Sequence, residues 1–313
     1  MDLSAANKPL DGMISGRFFL IGYLPTYAAA VFVLILVWAG APTWLHDGHA
    51  LSFARAWQTA RGLGVGEIVI LTVAVTVIAV LFAPLQLAMM RVLEGNWPTA
   101  LGAGVGRWIQ RRRKRRMAAA AELPIGRSQL TADLVQRAGI AGARLRRRYP
   151  QPHHLVRPTA LGNALSAMED TAGREYGLDA IVAWPRLYAV LGDNVRAMVD
   201  DRRDVLDSAG RMTITAGTMF LAAVVLLWDS AGWLALALVP AAIAAVAYAG
   251  AVAAAVAYGE AVNSAFDLHR FDLLDALKMP QPRTRDEERA VNRALCDMWR
   301  QGVPMTGDYK VDR

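Results

Sequence analysis

The sequence predicts an all-α integral membrane protein with four transmembrane helices, arranged as two hairpins with a helical cytoplasmic segment between them. Three observations favour this fold class. Hydrophobic residues make up 55% of the 313 residues and charged residues only 19%, whereas about a quarter of the residues in a soluble domain are charged. The apolar residues occur in unbroken runs instead of alternating with polar residues. Most lysines and arginines lie in two segments outside those runs.

The first hairpin is predicted from two apolar runs, because a helix that crosses the hydrocarbon core of a membrane needs about 20 mostly apolar residues. The first run lies between Arg17 and Asp47 and has its apolar centre at residues 27–40. It is too long for the hydrophobic region of a cleaved signal peptide, so we expect it to be retained as a helix. The second run extends from Ile68 to Met90.

The second hairpin is predicted from one very long apolar segment. Between Met212 and Gly259 the only charged residue is Asp229. One helix of that length would measure about 70 Å, more than twice the thickness of the hydrocarbon core. We therefore expect a turn at Asp229, with spans at 212–228 and 233–258. The last span is rich in alanine, which favours a position inside the helix bundle or at a contact between subunits.

The distribution of lysine and arginine predicts the orientation, since these residues accumulate on the cytoplasmic side. The connection between the first two spans holds only Arg55 and Arg61, whereas 21 lysines and arginines lie between Arg91 and Arg211 and nine from Arg270 onward. Both termini are therefore expected in the cytoplasm of a cell whose plasma membrane holds the protein. The predicted segments are a cytoplasmic N-terminal tail (1–17), the first hairpin (18–91), a basic cytoplasmic helical region (92–211), the second hairpin (212–259) and a cytoplasmic C-terminal helix and tail (260–313).

The densest basic run begins about 20 residues after the second span and consists of Arg111, Arg112, Arg113, Lys114, Arg115 and Arg116. Such a run can bind nucleic-acid phosphates. Basic clusters close to a membrane instead attract anionic lipid headgroups, at about 1 kcal/mol per charge. The position of the run favours the lipid bilayer as the partner, and a nucleic-acid partner is not expected.

A first group of candidate binding residues lies on a predicted helix that begins after Arg157. Leu161, Leu165 and Met168 form one apolar stripe, so the polar side chains between them are expected to point away from the core. Gly177 is expected to end this helix. The polar candidates are Asn163, Glu169 and Asp170.

The segment from Ile181 to Tyr188 is apolar and aromatic but too short to cross a membrane. It predicts a re-entrant or interface-lying turn. Two interpretations stay open for the whole region from Arg157 onward: a small cytoplasmic cap that packs on the bundle, or a ligand-binding or gating element. The candidates that this segment adds are Trp184, Arg186 and Tyr188.

A polar stripe is predicted where the last span continues into the cytoplasm, because Glu260, Asp267 and Asp275 are spaced by seven and eight residues and Arg270 shares a helical side with Asn263. These acids could form ion pairs with Arg174 or Arg186. In a homo-oligomeric ring the same acids would line a cation vestibule. Glu260, Asp267 and Arg270 are the candidates taken from this stripe.

Two blocks of the sequence resemble a family of bacterial multi-pass membrane proteins that is common in high-GC Gram-positive bacteria. The first block reads LGN…ED…YG.D…WPRLY from Leu161 to Tyr188, and the second reads YGE…AFDLHRFDLL from Tyr258 to Leu274. The resemblance covers less than half of the chain. It implies a multi-pass membrane protein and implies no activity.

Motifs of the common enzyme classes are absent from the sequence. It contains no GxxxxGK[ST], HExxH or GxSxG pattern, and its single cysteine excludes a multi-cysteine metal site. No span has a charge near its centre, as ion-coupled transporters usually do. We therefore expect a non-catalytic membrane anchor or scaffold without cofactor or metal, whose cytoplasmic cap binds lipid or a protein partner. The alternative is a homo-oligomeric ion channel with an acidic cytoplasmic mouth.

Overall fold

The computed structural model describes residues 24–43, 50–97, 102–123 and 131–305. Within these ranges the chain is all-helical and forms ten α-helices, without a strand. The predicted N-terminal tail and the first residues of the first predicted span lie outside the described residues. The chain divides into two compact units, residues 1–90 with 207–250 and residues 91–206 with 251–313.

The first unit holds the most apolar helices. They are α1 (Leu24–Trp38), α2 (Phe53–Gly62), α3 (Val65–Leu93, except its last three residues), the second half of α8 (Asp193–Leu227) and the start of α9 (Leu238–Ala276), which follows a short 3-10 helix (Trp233–Ala237). Its core contains Leu36 of α1, Ala56 of α2 and Leu227 of α8. The turn expected at Asp229 is present, and the hydroxyl of Thr43 donates to the Asp229 carboxylate.

Two helices of the described structure, rather than four, are long and apolar enough to cross a membrane: Asp193–Leu227 and Trp233–Ala276. A third candidate arises only if Phe53–Gly62 and Val65–Leu81, which meet at 113°, count as one span. Of α1 the structure describes the 15 residues Leu24–Trp38, and the residues before Leu24 lie outside the described ranges.

The apolar helices expose much of their apolar surface. Ile70 and Leu81 of α3 are 71% and 70% exposed, and Val246 of α9 is 74% exposed. Only 22% of the apolar window of Trp233–Ala276 is buried. The expectation that this alanine-rich span lies inside the bundle is therefore wrong for a single chain. The reason is that the helix is apolar on every side, so its sequence specifies no face for burial.

The second unit packs shorter helices around the continuation of α9. They are α4 (Ala103–Ala121), α5 (Ala132–Arg148), α6 (Ala160–Thr171), α7 (Ala180–Val190), the first half of α8 and α10 (Arg285–Gln301), with 3-10 turns at His153–Leu155 and Arg174–Tyr176. Phe266 of α9 and Leu187 of α7 are fully buried in its core, together with Val199 of α8 and Cys296 of α10.

Two glycines set the path between α6 and α7. The helix ends at Thr171, before the predicted end at Gly177. Gly173 adopts φ +72°, and a Cβ there would lie 2.8 Å from the Phe266 ring. Gly177 adopts φ +80°, and its Cβ would lie 2.7 Å from the carbonyl oxygen of Arg289. Because both the backbone angle and the space require glycine, the chain reverses here against α9 and α10.

The aromatic segment after this reversal is a helix, α7, which buries one side only: Ala180, Ala183 and Leu187 are buried, whereas Ile181 is 67% exposed. Its predicted position at a membrane interface stays a prediction. Asp179 caps the start of α7 by accepting a hydrogen bond from the backbone N–H of Ile181 at 2.9 Å. Ala183 and Leu187, four residues apart, are fully buried. The apolar face of the segment therefore packs on the core of the second unit.

Candidate functional site

Asn163, expected on the exposed side of its helix, is completely buried. Its Oδ1 accepts from the backbone N–H of Arg157 at 2.9 Å, and its Nδ2 donates to the carbonyls of Arg157 at 2.9 Å and Thr159 at 2.7 Å. The side chain thus satisfies a chain segment that has no secondary structure of its own. The expectation was wrong because α6 is buried on almost all sides, and its apolar stripe does not mark a single core face.

Asp170 is also buried, and it fixes the segment that follows α5. Its Oδ2 accepts from the backbone N–H of Gln151 at 2.8 Å, and Arg174 forms an ion pair with its other oxygen. On the other side of Gln151 lies Lys114 of α4. The Lys114 ammonium donates to the carbonyls of Pro150 and Gln151, each at 2.8 Å.

Burial lowers the pKa of the Lys114 ammonium below its ordinary value. Lys114 is only 8% exposed, whereas the five arginines of the same run are exposed. The basic run predicted to bind lipid therefore divides into one lysine that holds the fold and five arginines that face outward. A contact between Lys114 and a lipid headgroup does not fit this geometry.

Glu169 lines a cleft of the second unit that has a volume of about 810 Å³. Its Oε2 lies 2.6 Å from Nη2 of Arg157. Burial raises the pKa of the Glu169 carboxyl, and the Arg157 guanidinium opposes this effect. The cleft also contains Arg107 and Arg293, which have no ion-pair partner among the described residues.

The aromatic candidates are packing residues. The Trp184 ring lies 6.0 Å from the Phe266 ring and 5.8 Å from the Tyr188 ring, measured between centroids. The Tyr188 hydroxyl donates to Oδ1 of Asp200 at 2.7 Å, and this hydrogen bond raises the pKa of Tyr188. The Arg186 guanidinium stacks 4.4 Å over the ring of Trp299. These contacts join α7 to α8, α9 and α10.

The predicted acidic stripe forms contacts within the chain, but with different partners from those expected. Glu260 pairs with Arg147 of α5 at 2.8 Å. Asp267 accepts from the Tyr176 hydroxyl at 2.8 Å, and burial, followed by this hydrogen bond, raises the pKa of Tyr176. Arg174 instead pairs with Asp170, and Arg186 stacks on an aromatic ring.

Arg270 forms a largely buried ion pair with Glu288 of α10. Its Nε donates to Oε1 of Glu288 at 2.8 Å, and the two side chains are 21% and 8% exposed. The guanidinium also lies 4.2 Å from the Tyr176 ring centroid and 4.4 Å from that of Phe271. The sequence pattern indicated Arg270 but gave no indication of Glu288, which lies 18 residues further along the chain.

The five exposed arginines of α4 occupy two sides of the helix. One group lies with Trp108, and the Arg112 guanidinium is 5.7 Å from the Trp108 ring centroid. The other group lines a second pocket of about 300 Å³ together with Arg148, the last residue of α5. The members of the first group are Arg111, Arg112 and Arg115, and those of the second are Arg113 and Arg116.

The described residues contain no group of three or more His, Cys, Asp or Glu side chains that could hold a metal ion. The thiol of Cys296 is buried, and burial raises its pKa, which disfavours the reactive thiolate.

No family model, curated protein or solved structure matches the chain.

Proposed function

We propose that the protein is a non-catalytic multi-pass membrane scaffold whose helical cap binds anionic lipid headgroups through the exposed arginines of α4. In this proposal α1 and α3 cross the membrane of a bacterial cell in addition to the two helices that are long and apolar enough to do so by themselves, which gives four spans. Both termini and the second unit lie on the cytoplasmic side. The apolar exposed surfaces of α3 and α9 support a membrane environment, because surfaces of this kind rarely face water. The resemblance of two sequence blocks to bacterial multi-pass membrane proteins agrees with it.

The observation that carries the proposal is the absence of ion-pair partners for the five exposed arginines of α4 among the described residues. Three other arginines of the second unit, Arg157, Arg174 and Arg270, each pair with a carboxylate of the same chain. The α4 arginines are therefore available to an external anion. Five charges at about 1 kcal/mol each supply a substantial attraction to an anionic surface.

The ion-channel alternative gains less support from the geometry. Its acidic mouth needs Glu260 and Asp267 to face a common axis, whereas these side chains bind Arg147 and Tyr176 of the same chain. A protein partner of the cap is a further part of the proposal. The 810 Å³ cleft, with Arg107 and Arg293, is the surface we assign to it.

The proposal is tested by the lipids that accompany the protein when it is extracted with its native membrane in polymer-bounded discs. Mass spectrometry of the discs is expected to show more anionic lipid than the bulk membrane contains. The variant R111Q/R112Q/R113Q/R115Q/R116Q is expected to lose this enrichment. A control with equal charge loss on exposed arginines elsewhere, R202Q/R203Q/R283Q/R285Q/R293Q, is expected to keep it. Wild-type discs with the composition of the bulk membrane would contradict the proposal.

A further inference from the structure

We infer that Arg113, Arg116 and Arg148 form a specific site for the phosphate headgroup of one anionic lipid, in addition to the general attraction of α4 for an anionic surface. This inference rests on the proposed membrane function. It concerns only the pocket of about 300 Å³ between α4, the end of α5 and α9. Its remaining lining residues are Met117, Tyr149, Ala160 and Val252.

The composition of the pocket matches a lipid rather than a free anion. Three guanidinium groups line it, and none of the three has an ion-pair or hydrogen-bond partner among the described residues. Arginine is suited to phosphate because its planar fork donates two parallel hydrogen bonds. The other lining residues are mostly apolar, and no carboxylate is among them. A site with cations on one side and apolar side chains on the other fits a headgroup with the first part of its acyl chains.

The position of Val252 in the sequence puts the pocket near the cytoplasmic end of the last apolar run. Val252 belongs to the apolar run of α9, which ends at Tyr258, before Glu260. Six residues of helix correspond to about 9 Å, and the interfacial region on each side of the hydrocarbon core is about 5–8 Å thick, so in the proposed topology the pocket lies at the boundary between the headgroups and the core. Basic pockets beside membrane helices at this level bind anionic lipid headgroups.

Two buried or paired contacts hold the three arginines in place. Lys114, the neighbour of Arg113, anchors α4 to the carbonyls of Pro150 and Gln151. Arg147, the neighbour of Arg148, joins the last turn of α5 to Glu260 of α9 at 2.8 Å. The buried Lys114 contacts hold the backbone of α4, with Arg113 and Arg116, in place before a lipid binds, which reduces the entropy lost on binding. The Arg147–Glu260 pair is about half exposed and contributes less.

The experiment compares two variants that lose the same charge. R113Q/R116Q/R148Q removes the arginines of the pocket, and R111Q/R112Q/R115Q removes those on the Trp108 side of α4. Full-length protein in detergent is titrated with phosphatidylglycerol, and native mass spectrometry counts the bound lipids. Phosphatidylcholine and inorganic phosphate serve as separate probes.

We expect one tightly bound phosphatidylglycerol on the wild type and on R111Q/R112Q/R115Q, and an increase in Kd of about 100-fold for R113Q/R116Q/R148Q, as three lost charges imply. Equal weakening in both variants would show a diffuse basic surface; it would overturn the specific site and leave the proposed function standing. No preference for phosphatidylglycerol over phosphatidylcholine in the wild type would contradict both. Displacement of the lipid by millimolar phosphate would show a phosphate site instead of a lipid site.

Discussion

Lys114 and Asp170 both bind the backbone of Gln151. The lysine ammonium donates to the Gln151 carbonyl, and the aspartate accepts a hydrogen bond from the Gln151 N–H, each at 2.8 Å. The two residues belong to α4 and α6, so a segment outside the α-helices is the link between them. This arrangement explains why a lysine is buried within a run of exposed arginines. A guanidinium is a wide planar group, whereas an ammonium can point at two adjacent carbonyls from one position.

Replacing Lys114 by methionine is expected to lower the free energy of unfolding by about 1–3 kcal/mol, because the carbonyls of Pro150 and Gln151 would lose their buried donor. Thermal unfolding in detergent, followed by tryptophan fluorescence, measures the change. The control is R115M on the exposed side of the same helix, for which no change is expected. Equal melting temperatures for both variants would show that the hydrogen bonds of Lys114 to Pro150 and Gln151 do not stabilise the fold.

Replacing Arg270 by methionine is expected to have a larger effect, about 3–5 kcal/mol, because it leaves the Glu288 carboxylate buried without a cation. The double variant R270M/E288Q is expected to be more stable than R270M alone, since it removes the unpaired charge. Thermal unfolding followed by tryptophan fluorescence measures the stability of R270M and of R270M/E288Q. A double variant less stable than R270M would contradict this explanation.

Replacing Gly162 by alanine is expected to destabilise the second unit by about 1–3 kcal/mol, the usual range for overpacking. The added Cβ would clash with the carbonyl oxygen of Glu94, a backbone atom that cannot rotate away. The matched control is G139A in α5, where nothing lies within 4 Å of the added atom. That variant is expected to gain up to about 1 kcal/mol from the better helix propensity of alanine.

The stability of the wild type is expected to fall relative to E169Q as the pH rises above 4.5, the ordinary pKa of the glutamate carboxyl. Burial raises the pKa of Glu169 in the folded protein above its unfolded value of 4.5. In the window just above that value the folded state binds more protons than the unfolded state, so its stability decreases with increasing pH. The loss of the Arg157 contact in E169Q adds a constant offset and no slope. Parallel melting curves against pH would contradict the raised pKa.

The proposed topology predicts which engineered thiols react on intact cells. A membrane-impermeant maleimide is expected to label A231C, in the turn after α8, and G64C, between α2 and α3. It is expected to label R112C, on α4, only after permeabilisation. The native thiol gives little background, since Cys296 is 4% exposed. Labelling of R112C on intact cells would show the opposite orientation. Protection of G64C would contradict the prediction that the first hairpin crosses the membrane.

The sequence was sufficient to locate the most apolar helices, because their apolar runs are longer than those of helices that pack in a soluble domain. It was not sufficient for the burial of Asn163 or Lys114. The Asn163 side chain bonds to backbone atoms of Arg157 and Thr159. A sequence pattern does not distinguish such a buried polar residue from an exposed one on the same helix. Lys114 differs from its neighbours only through contacts 36 and 37 residues away. For the same reason Arg148 could not be grouped with Arg113 and Arg116 before the pocket was seen.

The chain reversal at Gly173 and Gly177 also constrains which sequences can share this fold. Both positions combine a left-handed backbone with a neighbouring group less than 3 Å from any added Cβ, so a single substitution cannot be absorbed by a local shift. The exposed arginines have no such restriction, so related sequences can place them at other positions of the helix and keep the same charge. We therefore expect distant relatives to keep two glycines four residues apart, preceded along the chain by a buried asparagine, even where every surface residue has changed.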